Sequence, residues 1–162
     1  MSATVIEVRD WIYDKIRTLI DGTGDYTYDL TAAGQVIRAD ASAPWMVDGS
    51  PCASVFFVRS VTGTEPTLCK FDRQMTFGVV GFSSTTASVT DTVDQLQLEE
   101  AAAMNMLNDL SMAIESDRRF GGLIIRVLVD HEIQTGGATN AGLHYSTAMC
   151  IVRCNMQKET GI

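Results

Sequence analysis

The sequence has few basic residues and no long hydrophobic run. Its 162 residues include 12 Lys and Arg against 20 Asp and Glu, which gives a formal net charge of −8 at pH 7. This charge disfavours a protein that binds nucleic acid through phosphate contacts. No apolar run approaches the ~18 residues that a membrane span needs, and early acidic residues interrupt any signal-peptide core. We therefore expect a soluble, cytoplasmic protein with no membrane partner.

Motifs for catalysis and metal binding are also missing. The four cysteines, Cys52, Cys69, Cys150 and Cys154, form no Cys-x-x-Cys pair, and neither histidine lies at zinc-ligand spacing from them. There is no Gly-x-Ser-x-Gly and no His-Glu-x-x-His motif. We expect reduced structural thiols, no catalytic residue, no bound metal and no cofactor.

Two weaker patterns have both a functional and a structural interpretation. If the last hairpin turns between Gly137 and Ala138, His131 and His144 become cross-strand neighbours, which would suit a metal or a pH switch. Two surface histidines near a loop are the favoured alternative. The segment 21–25 resembles the start of a calcium loop, but the sixth position lacks glycine and the twelfth lacks glutamate, which favours a helix-terminating turn.

The spacing of apolar residues predicts two helices and four strands. Apolar residues at steps of three and four indicate a helix, whereas β-branched and aromatic runs indicate strands. The polar stretch up to residue 52 is long for an unstructured loop, so it holds either a short strand or a functional segment. The predicted elements are a helix over 3–20, strands over 53–61 and 70–82, a helix over 91–117, and strands over 123–133 and 143–154.

This order of elements predicts the fold class. Glycine- or proline-containing loops at 62–69 and 134–142 join the strands into two hairpins. Two helices and about four strands make an α+β two-layer sandwich, in which both helices cover one face of a mainly antiparallel sheet. Residues 1–162 are expected to form a single domain.

Both faces of the predicted sheet carry large apolar residues. Strand alternation places Val55, Phe77 and Val79 toward the helices, while their sequence neighbours point the other way. Because two helices cover only one face, we expect the second face to meet another subunit or another sheet. The predicted subunit interface consists of Phe56, Val58, Phe82, Ile124 and Leu128.

The second helix has a one-sided charge. Seven acidic residues and no basic residue lie between Asp91 and Asp117. A solvated outer helix face is the favoured interpretation of this pattern. The alternative is a surface that repels nucleic acid or docks a basic partner.

The order of elements also resembles a known family. The chain combines an amphipathic first helix, a tyrosine-rich turn at Tyr26 and Tyr28, and a second helix that ends in Asp-Arg-Arg-Phe-Gly-Gly at 117–122. Together with the two hairpins, this layout resembles the tail terminator, or tail-completion, proteins of long-tailed bacteriophages. The resemblance covers most of the chain as an order of elements.

The resemblance implies a structural role in the virion. It implies a ring, commonly a hexamer, that caps the head-proximal end of the tail tube, stops tube polymerisation and joins the tail to the head connector. The partners would be other copies of the chain, the tail tube protein and a head–tail connector or stopper, with the genome passing through the ring without sequence-specific binding. The location would be the tail–neck region, with assembly in the host bacterial cytoplasm.

Loops that project beyond packed layers suit docking to such partners. The residues predicted to dock them are Thr64, Glu65, Pro66, Gly136, Gly137 and Asn140. Three alternatives remain open, namely another phage neck protein, a small enzyme whose active site follows no familiar motif, and a small-molecule binding module.

Overall fold

A computed structural model describes residues 3–38, 51–62, 73–86, 92–134, 139–140 and 143–156. It has two α-helices, one short 3-10 helix and six strands. In chain order these are α1 (Val5–Leu19), β1 (Val36–Arg38), β2 (Cys52–Thr62), β3 (Arg73–Thr86), α2 (Thr92–Glu115), the 3-10 helix (Phe120–Gly122), β4 (Arg126–Gln134), β5 (Thr139–Asn140) and β6 (Leu143–Met156).

The strands form one mixed sheet. Their order is β1-β2-β3-β6-β4, and the two-residue β5 also pairs with β6. The central strands β3 and β6 pair antiparallel from Arg73 opposite Met156 to Thr86 opposite Leu143. Only β1, which pairs with β2, runs parallel to its neighbour. The α+β prediction is confirmed, with β1 as the short strand that the polar stretch contains.

Both helices pack on one face of the sheet. The apolar residues of α1 at Val8, Ile12 and Ile16 are fully buried in the same cluster as Phe77 and Val79 of β3. The α1 helix begins with a capping box, in which Thr4 and Glu7 each accept a hydrogen bond from the other's backbone N–H.

A glycine allows α2 to approach the sheet closely. A Cβ built on Gly81 would lie 2.5 Å from Cγ of Met106 and 2.9 Å from Cδ1 of Leu110. Since real Cβ contacts are longer, a side chain at this position would require Met106 and Leu110 to shift. Gly81 therefore makes room for the side chains through which α2 packs on β3.

The structure corrects the predicted position of Ile124. Strand alternation counted from Leu123 placed Ile124 on the face away from the helices, but Ile124 is only 3% exposed and belongs to the core cluster. The chain is not yet extended there, because the 3-10 helix ends at Gly122 and the N–H of Ile124 donates to the carbonyl of Arg119 at 3.2 Å. Alternation begins only at β4.

The two histidines are not cross-strand neighbours, because the last hairpin does not turn between Gly137 and Ala138. His131 lies opposite Cys150, whereas His144 lies opposite Thr85 and Thr139. A hairpin that turned between residues 137 and 138 would place residue 131 opposite residue 144. In the structure β4 instead pairs with a part of β6 further along the chain. Asn140, predicted as part of a loop, lies in β5.

Candidate functional site

The face of the sheet away from the helices is the candidate interaction surface, here named the outer face. Its apolar residues come from four strands, and they alternate with the buried residues of the helix-covered face. No helix that the structure describes packs on this face. The apolar residues of the outer face are Phe56, Val80, Phe82, Leu128, Met149 and Ile151.

Phe56 anchors the centre of the outer face. It lies opposite Gly78 of β3, and a Cβ built on Gly78 would lie 2.3 Å from the Phe56 ring. The aromatic ring therefore occupies the space that a side chain at position 78 would need. This arrangement flattens the ring against the sheet and leaves Phe56 half-buried.

The outer face is only partly shielded from solvent. Phe56, Phe82 and Ile151 are half-buried, and Leu128 is 41% exposed. By contrast, Phe77, Val79 and Val152 on the helix-covered face are fully buried. The outer face thus retains apolar area that association with another surface would remove from water.

The outer face also carries polar groups that bond within the sheet. Arg153 of β6 forms a 2.6 Å ion pair with Asp130 of β4. Gln74 donates to the side-chain oxygen of Asn155 at 2.9 Å, while the side-chain nitrogen of Asn155 has no hydrogen-bond partner among the described residues. A buried donor without a partner is costly, and Asn155 is only 1% exposed, so this cost is internal to the domain.

The predicted interface residues have different positions in the structure. Phe56, Phe82 and Leu128 belong to the outer face, whereas Ile124 is in the core. Val58 is 47% exposed and lies at a β-bulge, where the register of β2 shifts between Phe57 and Arg59. The predicted docking residues Thr64, Glu65, Pro66, Gly136 and Gly137 lie outside the described residues.

The acidic helix contains two carboxylates that are not on a solvated face. Glu99 is 2% exposed and Asp109 is 1% exposed, so the interpretation of this helix as a uniformly solvated acidic surface is wrong for these two residues. Their spacing in the sequence indicates this burial. Glu99 and Asp109 lie on the same face of α2 as the buried Met106 and Ala113, because helical residues three, four or seven apart share a face.

Asp109 holds the tyrosine-rich turn against α2. Its carboxylate accepts hydrogen bonds from the backbone N–H of Thr27 at 3.0 Å and of Tyr28 at 2.8 Å. The hydroxyl of Tyr28 donates to the carbonyl of Ala102 at 3.0 Å. Burial raises the pKa of Asp109, and the backbone hydrogen bonds from Tyr28 and Thr27 oppose this rise. The turn is thus positioned by one buried acid.

Asp117 and Phe120 fix the segment 117–122 that follows α2. The Asp117 carboxylate accepts hydrogen bonds from the backbone N–H of Arg119 at 3.0 Å and of Gly121 at 2.7 Å. These contacts hold the pKa of Asp117 below its ordinary value. The buried ring of Phe120 stacks on Trp11 of α1, with ring centroids 4.0 Å apart. The segment 117–122 therefore joins α2 to α1.

One serine–histidine contact has the distance of a catalytic pair. Oγ of Ser111 lies 2.8 Å from Nε2 of His131, and the serine hydroxyl also donates to Glu115 at 3.3 Å. The tautomer of the His131 imidazole decides whether the Ser111 hydroxyl donates to Nε2 or accepts from it.

The described cysteines are buried. Cys150 and Cys154 are free thiols, and burial raises the pKa of both to about 12. Such thiols stay protonated at neutral pH and are poor nucleophiles and ligands. No group of three or more His, Cys, Asp or Glu residues in the described ranges is arranged to hold a metal ion.

Neither α1 nor α2, the helices of the described ranges, is both long and apolar enough to cross a membrane.

No protein-family model matches the sequence, and a search of curated proteins gives no significant match. Among solved structures, the chain is similar to the sheath/tube terminator, in its extended state, of the extracellular contractile injection system PVC. The sequence identity is 11% and the TM-score is 0.43. The alignment covers 100% of this chain and 62% of that chain, so this chain spans less than two thirds of the length of that terminator.

Proposed function

We propose that the chain is a structural subunit of a tail-like assembly, which forms a ring at the head-proximal end of a tail tube. In this role the ring stops tube polymerisation and joins the tail to a head connector. The observation that carries the proposal is the outer face, an apolar sheet surface on which no described helix packs. The sheath/tube terminator named above belongs to the same class of assembly, but the proposal rests on the two faces of the sheet and on the order of elements.

Two features of the sheet support self-association. Fully burying one exposed large apolar side chain contributes about 1.5–3 kcal/mol, and a side chain such as Leu128, which is 41% exposed, can gain only the part of this that remains exposed. Several side chains of the outer face together can still stabilise a subunit contact. In addition, β4 pairs only with β6 among the described strands. On its other edge the N–H of Val127 already donates to the carbonyl of Arg118 at 3.1 Å, so a neighbour could add backbone hydrogen bonds only along the part of this edge beyond Val127. A ring needs contacts of this kind on two different sides of each subunit.

The proposed partners follow from this place in the assembly. They are further copies of the chain, in a ring that is expected to be a hexamer, the tail tube protein below it and the head connector or stopper above it. The net charge of −8 suits a channel through which DNA slides without binding, since like charges repel. The chain acts as a virion component that is assembled in the host cytoplasm, and it is proposed to have no enzymatic activity.

Light scattering after size-exclusion chromatography tests the ring. The expected result is a single species several times heavier than the chain, either alone or with purified tail tubes. A chain that remains monomeric under both conditions would contradict the proposal.

A genetic experiment separates a terminator from another neck protein. Without a terminator, tubes are expected to exceed their normal length. Without a connector or stopper, tubes of normal length are expected to fail to join heads. Electron microscopy of particles from a phage that lacks this chain, with and without complementation, distinguishes the two outcomes.

A further inference from the structure

Two strand segments lack a described neighbour, one at each side of the sheet. β2 pairs with β1 only along residues 53–55, so its residues 57–62, here named the β2 edge, have no described strand on that side. Every residue of the β2 edge is exposed, including the apolar Phe57 at 40%, Val58 at 47% and Val61 at 49%. At the other side of the sheet, residues 128–134 of β4, here named the β4 edge, pair with β6 alone among the described strands.

The two edges run in opposite directions. β3 is antiparallel to β2, β6 is antiparallel to β3, and β4 is antiparallel to β6. β4 therefore runs antiparallel to β2, and the β2 edge of one copy meets the β4 edge of a second copy as an antiparallel pair. Because the two edges lie at opposite sides of the sheet, each copy can use both at once. Such head-to-tail contacts propagate from copy to copy and can close into a ring.

The charges of the two edges are complementary. The β2 edge carries one charged residue, Arg59, whereas the β4 edge carries Asp130 and Glu132. Arg59 has no ion-pair partner among the described residues. Two β2 edges side by side bring only like charges together, and so do two β4 edges, but one of each brings opposite charges together. The charges therefore favour a second copy of the chain as the partner, in a head-to-tail rather than a symmetric contact.

The two faces of the sheet restrict the register of such a pair. The strand pairings place Arg59 and Val61 on the outer face, together with Leu128 and Asp130. Because the N–H of Val127 already has a partner, backbone pairing of the β4 edge can begin only at Leu128. With Val61 opposite Leu128, Arg59 lies opposite Asp130, so an apolar pair and a charged pair form. A shift by two residues would instead place Val61 opposite the carboxylate of Asp130.

We propose that the β2 edge of one copy pairs with the β4 edge of a second copy, which joins their sheets into one. Val61 lies opposite Leu128 of the neighbouring copy, and Arg59 lies opposite Asp130. The side chain of Asp130 is 57% exposed, so its carboxylate can bind a second cation in addition to Arg153. This contact rests on the proposed ring and specifies which segments of each copy form it. Both pairs lie on the outer face, which therefore continues from one copy to the next.

Cysteine cross-linking tests this pairing. One copy carries Val61→Cys, a co-expressed second copy carries Leu128→Cys, and mild oxidation is applied with and without purified tail tubes. Directly opposed residues of an antiparallel pair have Cα atoms about 4.5–5.5 Å apart, a distance that a disulfide spans. We expect a covalent dimer that contains one copy of each variant, and about tenfold less dimer from either variant alone. Each single variant also controls for the native cysteines.

Two matched variants test the register and the charge. Ser60→Cys in place of Val61→Cys puts the thiol on the helix-covered face, because Ser60 lies opposite the buried Met75, and it should give little dimer with Leu128→Cys. Arg59→Gln is expected to weaken self-association about threefold, whereas Arg17→Gln, at an exposed arginine of α1, leaves it unchanged. Light scattering over a concentration series measures both effects.

The outcomes separate this contact from the ring itself. A wild-type multimer without a mixed dimer would overturn the edge contact and leave the proposed ring intact. A wild-type chain that stays monomeric with and without tubes would overturn both. As much dimer from Val61→Cys alone, or from Ser60→Cys with Leu128→Cys, would overturn the head-to-tail pairing or its register. Equal effects of Arg59→Gln and Arg17→Gln would overturn the charged pair.

Discussion

Asp109 of α2 and Tyr28 of the tyrosine-rich turn are joined by a 2.8 Å hydrogen bond from the backbone N–H of Tyr28 to the buried carboxylate. The same carboxylate also accepts from Thr27, so one side chain satisfies two backbone donors. These donors lie more than 80 residues before Asp109 in the sequence. The turn and α2 therefore form one structural unit.

Replacing Asp109 with asparagine is expected to destabilise the domain by about 1–3 kcal/mol, since the amide nitrogen would face a backbone donor. Urea denaturation measures this change in the free energy of unfolding. Glu100→Gln is the control, because Glu100 is exposed on the same helix. An effect of Glu100→Gln as large as that of Asp109→Asn would contradict the assigned role of Asp109.

The effect of Asp109 also depends on pH. Because burial raises its pKa above the ordinary value of 3.8, the folded protein binds this proton more readily than the unfolded chain. The resulting stabilisation is fully present below pH 3.8 and is lost as the pH rises through the raised pKa. The difference in stability between wild type and Asp109→Asn should therefore decrease with rising pH. Urea titrations of both proteins across the acidic range measure this trend, and a difference that grows with pH would contradict it.

The two glycines of β3, Gly78 and Gly81, lie on opposite faces of the sheet. We expect substitutions at the two positions to have different effects on stability. Gly81→Ala forces a Cβ against Met106 and Leu110 in the core, and it is expected to cost about 1–3 kcal/mol. Gly78→Ala meets the ring of Phe56, which is half-exposed and can move, so its cost should be smaller. Thermal unfolding compares the two variants. In a double-mutant cycle, Phe56→Leu should relieve part of the cost of Gly78→Ala and none of that of Gly81→Ala.

The stacking of Phe120 on Trp11 predicts a large stability effect. Phe120→Ala is expected to cost about 3–5 kcal/mol, because the ring is fully buried. Phe120 has a φ of 50°, so Phe120→Gly should be less destabilising than Phe120→Ala by about 1 kcal/mol. Urea denaturation measures both values. Phe57→Ala, at a ring that is 40% exposed, serves as the control with a smaller loss.

The outer face can be tested by introducing a charge. Leu128→Asp is expected to weaken self-association while the domain stays folded, whereas Ile124→Asp should unfold it because Ile124 is in the core. Ile6→Asp is the matched control, since Ile6 is 60% exposed on α1. Light scattering measures assembly and circular dichroism measures folding. Normal assembly of Leu128→Asp would show that the outer face is not the interface.

Removal of metal ions should leave the protein unchanged. Cys150 and Cys154 are buried, and the described residues include no group of three or more His, Cys, Asp or Glu that could hold a metal ion, so a chelator is expected to alter neither the melting temperature nor assembly. Elemental analysis provides the second measurement. A stoichiometric metal in the purified protein would contradict this prediction.

The sequence predicted the elements well because their signals are local. Apolar spacing located α1 and α2, and alternation assigned Val55, Phe77 and Val79 to the helix-covered face. The order of the strands depends on pairing between distant segments, which spacing alone does not encode. The parallel pairing of β1 with β2 and the central position of β6 therefore emerged only from the structure.

The candidate site was predicted in part. Phe56, Phe82 and Leu128 lie in regular strands, where alternation holds, so their position on the outer face could be inferred. Ile124 lies between the 3-10 helix and β4, where the backbone is not extended. The alternation of strand side chains between the two faces therefore does not apply to it. The buried role of Asp109 was missed because acidic residues on a helix are usually solvated. Its three-residue spacing from Met106 was the available signal.

The pairing of β3 with β6 has a consequence for how the chain folds. Arg73 and Met156 are opposite each other, so the two longest strands meet only after a large loop has closed. Sheets built from such distant pairs fold slowly, on a timescale of about milliseconds to seconds. During synthesis, the ribosome must deliver residues 143–156 before the middle of the sheet can form. Until then the edge of β3 that pairs with β6 is unpaired, and an unpaired strand edge can pair with another chain.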